Sequence, residues 1–289
     1  MFAIIVNPVS GGREGAQLVE QMKALIAEKG HTAHVFATEC EGDATQKARQ
    51  ALEAGYTSVV SVGGDGTLSE VVQAVAGSAA TLYVVPTGTG NDFARAFGLP
   101  KKPIDAFRAQ LQGERVQIDC LTANGCPFIN VGGSGFDVEV LRKTEELKAV
   151  YPGEVAYRKA VLAVLGSYQA IDAEISVDGG QVRREKATII EMANGRYFGG
   201  GMLVAPGSDM QDGLMDVVIV GRVPSWGIPF LLPLFIKGWH VKLPICKVVK
   251  AKEVRLKAPN LVVNMDGRLE SMDEVVFGIL PGALTMMRP

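Results

Sequence analysis

The hydrophobic pattern of this chain changes period near residue 120. Before that point short, unbroken apolar runs alternate with longer stretches in which apolar residues return every three or four positions. "FAIIV" (2–6) reads as a buried parallel strand, since a strand covered on both faces has no polar side to alternate with; "HTAHVFA" (31–37) and the runs at 58–62 and 81–85 read as further strands. Leu18, Met22, Leu25 and Ile26 mark a helix over 14–28. Residues 43–55 form a second helix closed by Gly55, residues 67–76 a third, and 90–97 a short fourth. This β-α-β-α rhythm predicts a parallel sheet with helices on both faces, whose ligands bind at the carboxyl ends of the strands. After residue 120 short alternating stretches dominate, at 115–123, 127–133, 173–179, 186–195, 215–223, 253–258, 261–267 and 274–280, with turn signals such as "VDGGQ" between them. They predict an antiparallel β-sandwich, interrupted by a helical insert near 138–170. The fold class is therefore α/β plus all-β: an α/β domain over 1–123 and a β domain over 124–289, whose last strand can return to the first domain.

Composition agrees and excludes little else. The chain has 289 residues, 47% of them apolar and 21% charged, with a net charge of −2. That is a folded protein without the basic footprint of a nucleic-acid binder. Cys40, Cys120, Cys126 and Cys246 have no metal-like spacing and suit free thiols in a reducing cytoplasm. The amino-terminal "MFAIIVNPVSGG" has no basic region of a signal peptide. The apolar run "WGIPFLLPLFI" (226–236) carries Pro229 and Pro233 and is shorter than the roughly 20 residues a bilayer span needs. It reads as core of the β domain, or, beside the following Lys237, Lys242, Lys247, Lys250, Lys252, Arg255 and Lys257 with only Glu253 against them, as part of a surface for an anionic leaflet.

Chemistry concentrates at strand ends. "SVGGDGTLSEV" (61–71) places Gly63, Gly64 and Gly66 between a strand and a helix. Glycines there free backbone N–H groups to point at one spot, and the helix amino terminus points at the same spot, which together make an anion site. Asp65 inside an anion site asks for a cation too, and a Mg²⁺–phosphate pair answers both; otherwise Asp65 or Thr67 caps a turn. "VVPTGTGNDFAR" (84–95) repeats the device with Asp92, which stands in the same crevice or serves as an N-cap. "NPVSGG" (7–12) repeats it after the first strand. The histidines His31, His34 and His240 show neither triad nor metal spacing, and the glycines of "NVGGSGFD" (130–137) suit close backbone approach, not a nucleophile elbow.

The three glycine loops in this order, with "GGGMLVAPGSDMQDGLMDV" (199–217) downstream, resemble the diacylglycerol-kinase-like lipid kinases, a family that includes sphingosine and ceramide kinases and shares its GGDGT loop with NAD kinases. The resemblance runs over nearly the whole chain. It implies a Rossmann-like nucleotide domain followed by a β-sandwich, ATP and Mg²⁺ in the cleft between them, and phosphorylation of a lipid hydroxyl, most directly that of diacylglycerol. It implies nucleotide contacts at Asn7, Pro8, Val9, Ser10, Gly11, Thr38, Gly63, Gly64, Asp65, Gly66, Thr67, Leu68, Ser69 and Thr89. Asp65 and Asp92 match the acidic residues around the catalytic Mg²⁺. A second, structural Mg²⁺ is implied at Asp212, with oxygens of Asp209 and Leu214, although Gln211 stands where the family often has Asp. Partners implied are ATP, a membrane lipid and the membrane surface, with a cytoplasmic, peripheral location; the oligomeric state, a homodimer included, stays open.

The chain departs from the family at "NMDGRLE" (264–270). Family members carry there a Glu taken as base for the lipid hydroxyl; this chain has Arg268, which accepts no proton near neutral pH. Asp266 or Glu270 takes over the role, or a loose phosphoryl-transfer transition state needs little base, or Arg268 pairs with the γ-phosphate, or the chain binds nucleotide and lipid without turnover. NAD kinase activity is the alternative on the GGDGT loop alone, and the 199–217 segment speaks against it.

Overall fold

The computed structural model describes residues 1–8, 12–151 and 153–289, with the backbone alone for 12–14, 153 and 154. Along the first unit run β1 (Phe2–Val6), α1 (Gly12–Glu28), β2 (Ala33–Ala37), α2 (Asp43–Glu53), β3 (Ser58–Gly63), α3 (Asp65–Val75), β4 (Thr81–Pro86), α4 (Asp92–Ala96) and α5 (Pro103–Gln110). The strands pair in parallel in the order β4-β3-β1-β2. Apolar residues cover both faces. Ile4, Met22, Val60, Val85 and Phe107 pack on one side, and Ile5, Val59, Leu68, Val72, Leu82 and Phe93 on the other. The apolar runs of β1, β3 and β4 thus follow from two-sided burial, while β2, at the edge, is largely exposed. α5 escapes the periodicity because it is short and opens with Pro103, a residue suited to the first helical turn.

The second unit comprises β5 (Glu114–Ala123), β6 (Cys126–Phe128), β7 (Val131–Gly135), α6 (Phe136–Lys148), α7 (Gly153–Ser167), β8 (Ile171–Val177), β9 (Arg183–Ala193), β10 (Tyr197–Phe198), β11 (Met202–Leu203), β12 (Met215–Gly221), α8 (Ile228–Ile236), β13 (Cys246–Ala251), β14 (Glu253–Met265) and β15 (Arg268–Arg288). Its strands pair antiparallel throughout. The α/β plus all-β class therefore holds. β14 runs unbroken where the pattern suggested two strands, and β15 is far longer than its alternating stretch. The first half of β15 pairs with β14. Past a register shift between Leu280 and Leu284 it pairs in parallel with β4, Thr285 against Thr81. One strand thus joins both units into a single 13-stranded hydrogen-bonded sheet.

The run at 226–236 is not a strand. α8 forms because Pro229 falls in its first turn, where no N–H is required, and only Pro233 costs an internal bond. Ile228 and Phe235 join Val218, Val220, Ala160 and Phe136 in a core under α6 and α7.

That core holds two carboxyl groups, Asp137 at the start of α6 and Glu191 on β9. The side-chain oxygens of both are buried, and neither has an ion-pair partner among the described residues. Burial pushes both pKa values up. The charge of Asp137 raises Glu191 further, while backbone N–H groups of Asp137 and Val138 favour the Asp137 anion. Glu191 is accordingly the acid that keeps its proton, and it shares it with Asp137. A raised carboxyl contributes stability below its unfolded pKa and loses it as pH rises through the folded value. Wild type is expected to lose melting temperature more steeply than Glu191→Gln, whose amide donates at every pH, as pH rises above the ordinary carboxylate range. Parallel melting profiles for the two proteins would refute the shared proton.

Candidate active site

The second and third glycine loops, after β3 and β4, meet at the carboxyl ends of the strands, and Asn7, which follows β1, lines the same cavity as Gly64. Gly63 has no room for a Cβ because Thr67 lies over it. α3 begins at Asp65 with no side-chain cap, so neither Asp65 nor Thr67 is the capping residue. The first N–H groups of this 11-residue helix therefore lack helical partners and present positive charge outward. Gly66 is exposed, and nothing lies within 4 Å of the position its Cβ would take, so a ligand can approach the backbone there. Gly64 and Gly88 bring the second and third loops into contact: a Cβ on Gly88 would lie 2.5 Å from the Gly64 Cα. Asn91 closes the third loop. Its Nδ2 donates to the Gly88 carbonyl at 2.7 Å, its Oδ1 accepts from the Gly88 N–H at 3.1 Å, and its φ is 50°.

A cavity of about 520 Å³ lies between these loops, lined by Asn7, Thr38, Gly64, Gly66, Thr67, Glu70 and the 39–41 segment. It collects much of the implied nucleotide set. Pro8 is exposed beside it and Thr89 is exposed on the third loop. Leu68 and Ser69 are buried, Leu68 in the core and with its N–H bonded to the Gly64 carbonyl. Val9, Ser10 and Gly11 lie outside the described residues. Glu70, whose Oε2 accepts from the Ala44 N–H at 3.0 Å, is an addition; its only sequence signal is its place in the GGDGT helix.

Asp65 and Asp92 converge on Gly90, whose Cβ would lie 2.9 Å from Asp65 Oδ2 and 3.7 Å from Asp92 Oδ2. Asp65 Oδ1 accepts from the Phe93 N–H at 3.3 Å. Asp92 is no N-cap: Oδ2 accepts from the Gly200 N–H at 2.7 Å and Oδ1 from Arg95 Nη1 at 2.6 Å. Burial pushes the Asp92 pKa up, the Gly200 bond opposes it, the Asp65 charge raises it further and Arg95 lowers it. Arg95 and Gly200 were missed. The first is visible as an i,i+3 pair with Asp92, the second in the triplet Gly199–Gly201, each with positive φ. Asp65 Oδ2, close to Asp92 Oδ2 across Gly90 and at a helix amino terminus, fits Mg²⁺ carried on a phosphate chain, which takes one or two protein carboxylates and keeps water for the rest. Among the described residues no three acidic, Cys or His side chains are already grouped as a metal cage.

The second implied metal site does not fit as arranged. Asp209 Oδ1 accepts from the Gln211 N–H and Asp212 Oδ1 from the Leu214 N–H, both at 3.0 Å. Lys250, set opposite Asp216 by the β12–β13 register, pairs with Asp212 and lies 3.5 Å from Asp216. The loop carries its own cation, which a metal would have to displace.

Across the cleft, Asp266 turns its carboxyl inward and accepts from the N–H groups of Ile129 (2.7 Å), Asn130 (3.0 Å) and Val131 (3.1 Å). Burial pushes its pKa up to about 6 against these bonds, with a small further push from Asp65. It clamps the β6–β7 link. Glu270 is exposed and pairs with Arg268 at 3.2 Å. Among the described residues Arg268 Nη2 otherwise meets only sulfur, Cys126 Sγ at 3.2 Å and Met265 Sδ at 3.7 Å, and its Nε is buried without a partner.

A parallel α/β unit with glycine loops at its strand ends, closed by an antiparallel β unit across an acidic cleft, is the build of the phosphotransferases that include NAD and diacylglycerol kinases. Residues 1–123 match the diacylglycerol kinase catalytic domain and residues 130–288 the YegS C-terminal NAD kinase beta sandwich-like domain. The chain is 30% identical over 299 residues to a diacylglycerol kinase of Mycobacterium tuberculosis (strain CDC 1551 / Oshkosh), spanning 99% of this chain and 94% of that protein. It is 30% identical over 284 residues to one of Bacillus subtilis (strain 168), spanning 96% and 91%. A solved structure of a putative diacylglycerol kinase from Bacillus anthracis str. Sterne superposes with a TM-score of 0.82 at 26% identity, covering 100% of this chain and 95% of that one. An NAD kinase from Archaeoglobus fulgidus, solved with ATP, shares the fold alone, with a TM-score of 0.55 at 15% identity over 99% and 93% of the two chains. The chain belongs to the diacylglycerol kinase catalytic-domain family and is a lipid kinase of that kind.

Proposed function

We propose that this kinase transfers the γ-phosphoryl group of ATP to the free hydroxyl of diacylglycerol or a closely related lipid, with Mg²⁺ at Asp65. The observation that carries the reading is the convergence of Asp65 and Asp92 beside the uncapped amino terminus of α3. The N–H groups at residues 65–67 hold and orient phosphate oxygens. Mg²⁺, when bound, neutralises charge on the transferring phosphate. Asp92, fixed by Gly200 and Arg95, ties the β10–β11 hairpin to the nucleotide loops, so it positions the two walls of the cleft.

With Asp266 committed to three backbone N–H groups, no positioned general base stands at this wall among the described residues. Phosphoryl transfer through a loose transition state depends on placement and charge more than on a base. Arg268, a half-buried cation with an unpartnered Nε, serves here as an electrostatic clamp for the transferring group, and Glu270 holds it in place. Radiolabelled transfer from ATP to dispersed diacylglycerol tests both parts. Arg268→Glu is expected to lower the rate about 10²-fold, as losing one preorganised charge-stabilising donor does, Arg268→Lys to keep part of it, and Glu270→Gln to stay within about tenfold. A greater loss in Glu270→Gln than in Arg268→Glu would make Glu270 the base. No transfer by wild type would overturn the function itself.

A further inference from the structure

Among the described residues no helix is long and apolar enough to cross a membrane, yet α8 has no polar residue at all. Its sequence, IPFLLPLFI, is apolar on every side, the character of a helix that is buried all round. It is buried on one side only. Ile228 and Phe235 face the core, while Phe230 is 74% exposed and Ile236 53%; the turns flanking the helix add Trp226 at 76% and Trp239 at 51%. Trp226, Phe230, Pro233 and Ile236 fall three or four residues apart, so they form one outward stripe.

The surroundings of the stripe are basic. From Val217 to Lys252 there is no Asp or Glu, against Arg222, Lys237, Lys242, Lys247, Lys250 and Lys252. The ion pairs sort these cations. Lys247 is held by Glu185, and Lys250 by Asp212 and Asp216. Arg222, Lys237 and Lys242 make no salt bridge among the described residues, and Lys237 Nζ stands 4.7 Å from the centre of the Trp239 ring. In a chain of net charge −2 this is a local excess of positive charge around an uncovered aromatic surface.

We propose that α8 and its flanking turns dock the protein on an anionic lipid surface, with Trp226, Phe230 and Trp239 entering the interfacial layer and Arg222, Lys237 and Lys242 meeting the headgroups. An apolar strip with aromatic ends lies in the plane of an interface, where the rings are apolar in body and polar at the edge. Unpaired cations at its rim add attraction to anionic lipid. A second copy of this chain fits the patch poorly: a two-fold contact sets each surface against itself, which would bring one basic rim onto the other. The placement relative to the cleft supports the same occupant. Gly238, after α8, packs so closely on Leu203 and Pro206 that its Cβ would lie 2.7 Å from each. Leu203 belongs to β11, and the turn joining β10 to β11 carries the Gly200 N–H that binds Asp92. Docking through α8 therefore sets the hairpin wall of the active cleft at the lipid surface. Why the protein should dock there rests on the lipid-kinase reading; the docking itself does not.

The chain has two tryptophans, and both are in the patch, so tryptophan emission, excited selectively over that of its tyrosines, reports on this surface alone. The experiment adds phosphatidylcholine vesicles, with or without phosphatidylglycerol, to the whole protein without ATP or diacylglycerol, and follows emission and co-sedimentation. Emission is expected to shift to the blue with anionic vesicles, and binding to weaken as salt shortens the screening length towards about 8 Å and below. Trp226→Ser combined with Phe230→Ser should weaken vesicle binding at least about tenfold, and Arg222→Glu with Lys242→Glu should weaken it while leaving Trp226 in place. Both variants should phosphorylate a dispersed short-chain diacylglycerol at the wild-type rate, which shows the fold and cleft intact. The proposal is overturned by an unshifted spectrum, by equal binding of wild type and the aromatic variant, or by a blue shift that grows with protein concentration in the absence of lipid, which would give the patch to a second copy. Vesicle binding without any phosphoryl transfer would remove the kinase reading and leave the docking surface standing; transfer without vesicle binding would do the reverse.

Discussion

Asp65→Asn is expected to lower phosphoryl transfer about 10³-fold or more while the melting temperature hardly moves. The substitution keeps the shape and one carbonyl oxygen. If the only task of Asp65 were to accept the Phe93 N–H, at 3.3 Å, Asn would serve. The second oxygen, Oδ2, faces the space beside Gly90 that Asp92 also borders. A bound cation there is worth several kcal/mol of charge stabilisation in the transition state, or about three powers of ten at 1.36 kcal/mol each. A second readout separates charge from shape. The Asp65 charge is one of the causes that raise the Asp92 pKa, so the variant should move the Asp92 titration to lower pH. Activity close to wild type over a Mg²⁺ titration would return Asp65 to a purely structural part.

Gly88→Ala is expected to weaken ATP binding by about 100-fold. The new Cβ would sit 2.5 Å from the Cα of Gly64 and 3.3 Å from its backbone nitrogen, and backbone has no rotamer with which to move aside. The loops after β3 and β4 must separate, which costs about 1–3 kcal/mol of overpacking and moves the α3 amino terminus away from the Asp92 loop. Gly64→Ala is the milder form, since its Cβ would stand 3.2 Å from Gly88. Gly66→Ala is the control: no neighbour lies within 4 Å of its Cβ, so the fold should stay as it is and any loss of affinity reports a phosphate that comes close to this backbone. Calorimetric titration with ATP decides, and a Gly88→Ala protein that binds within twofold of wild type would show that the loops need not touch.

Several features were legible in the sequence because they are local. The inner parallel strands β1, β3 and β4 announce themselves as apolar runs, since both faces are covered within the same five or six residues, whereas the edge strand β2 is largely exposed. The loops at 63–67 and 86–92 announce themselves as glycines at a strand-to-helix seam, since a tight turn, a close approach and an uncapped helix end each constrain residues a few positions apart. The order of three such loops with the 199–217 segment was enough to indicate the lipid-kinase family. What stayed hidden depends on residues far apart in the chain. The sequence shows that residues 226–236 are apolar but not which half of α8 is covered, because Val204, Val218 and Ala160 do the covering. It shows Asp266 beside Arg268 but not that residues 129–131 consume the carboxylate, and Lys250 in a basic stretch but not that strand register sets it against Asp216. The sequence by itself determined the local periods, the turns and the chemistry available at each. Tertiary structure alone decided which charges are already paired, which apolar faces remain uncovered and which carboxylates are free to act, because pairing and burial are properties of the neighbours that folding brings together.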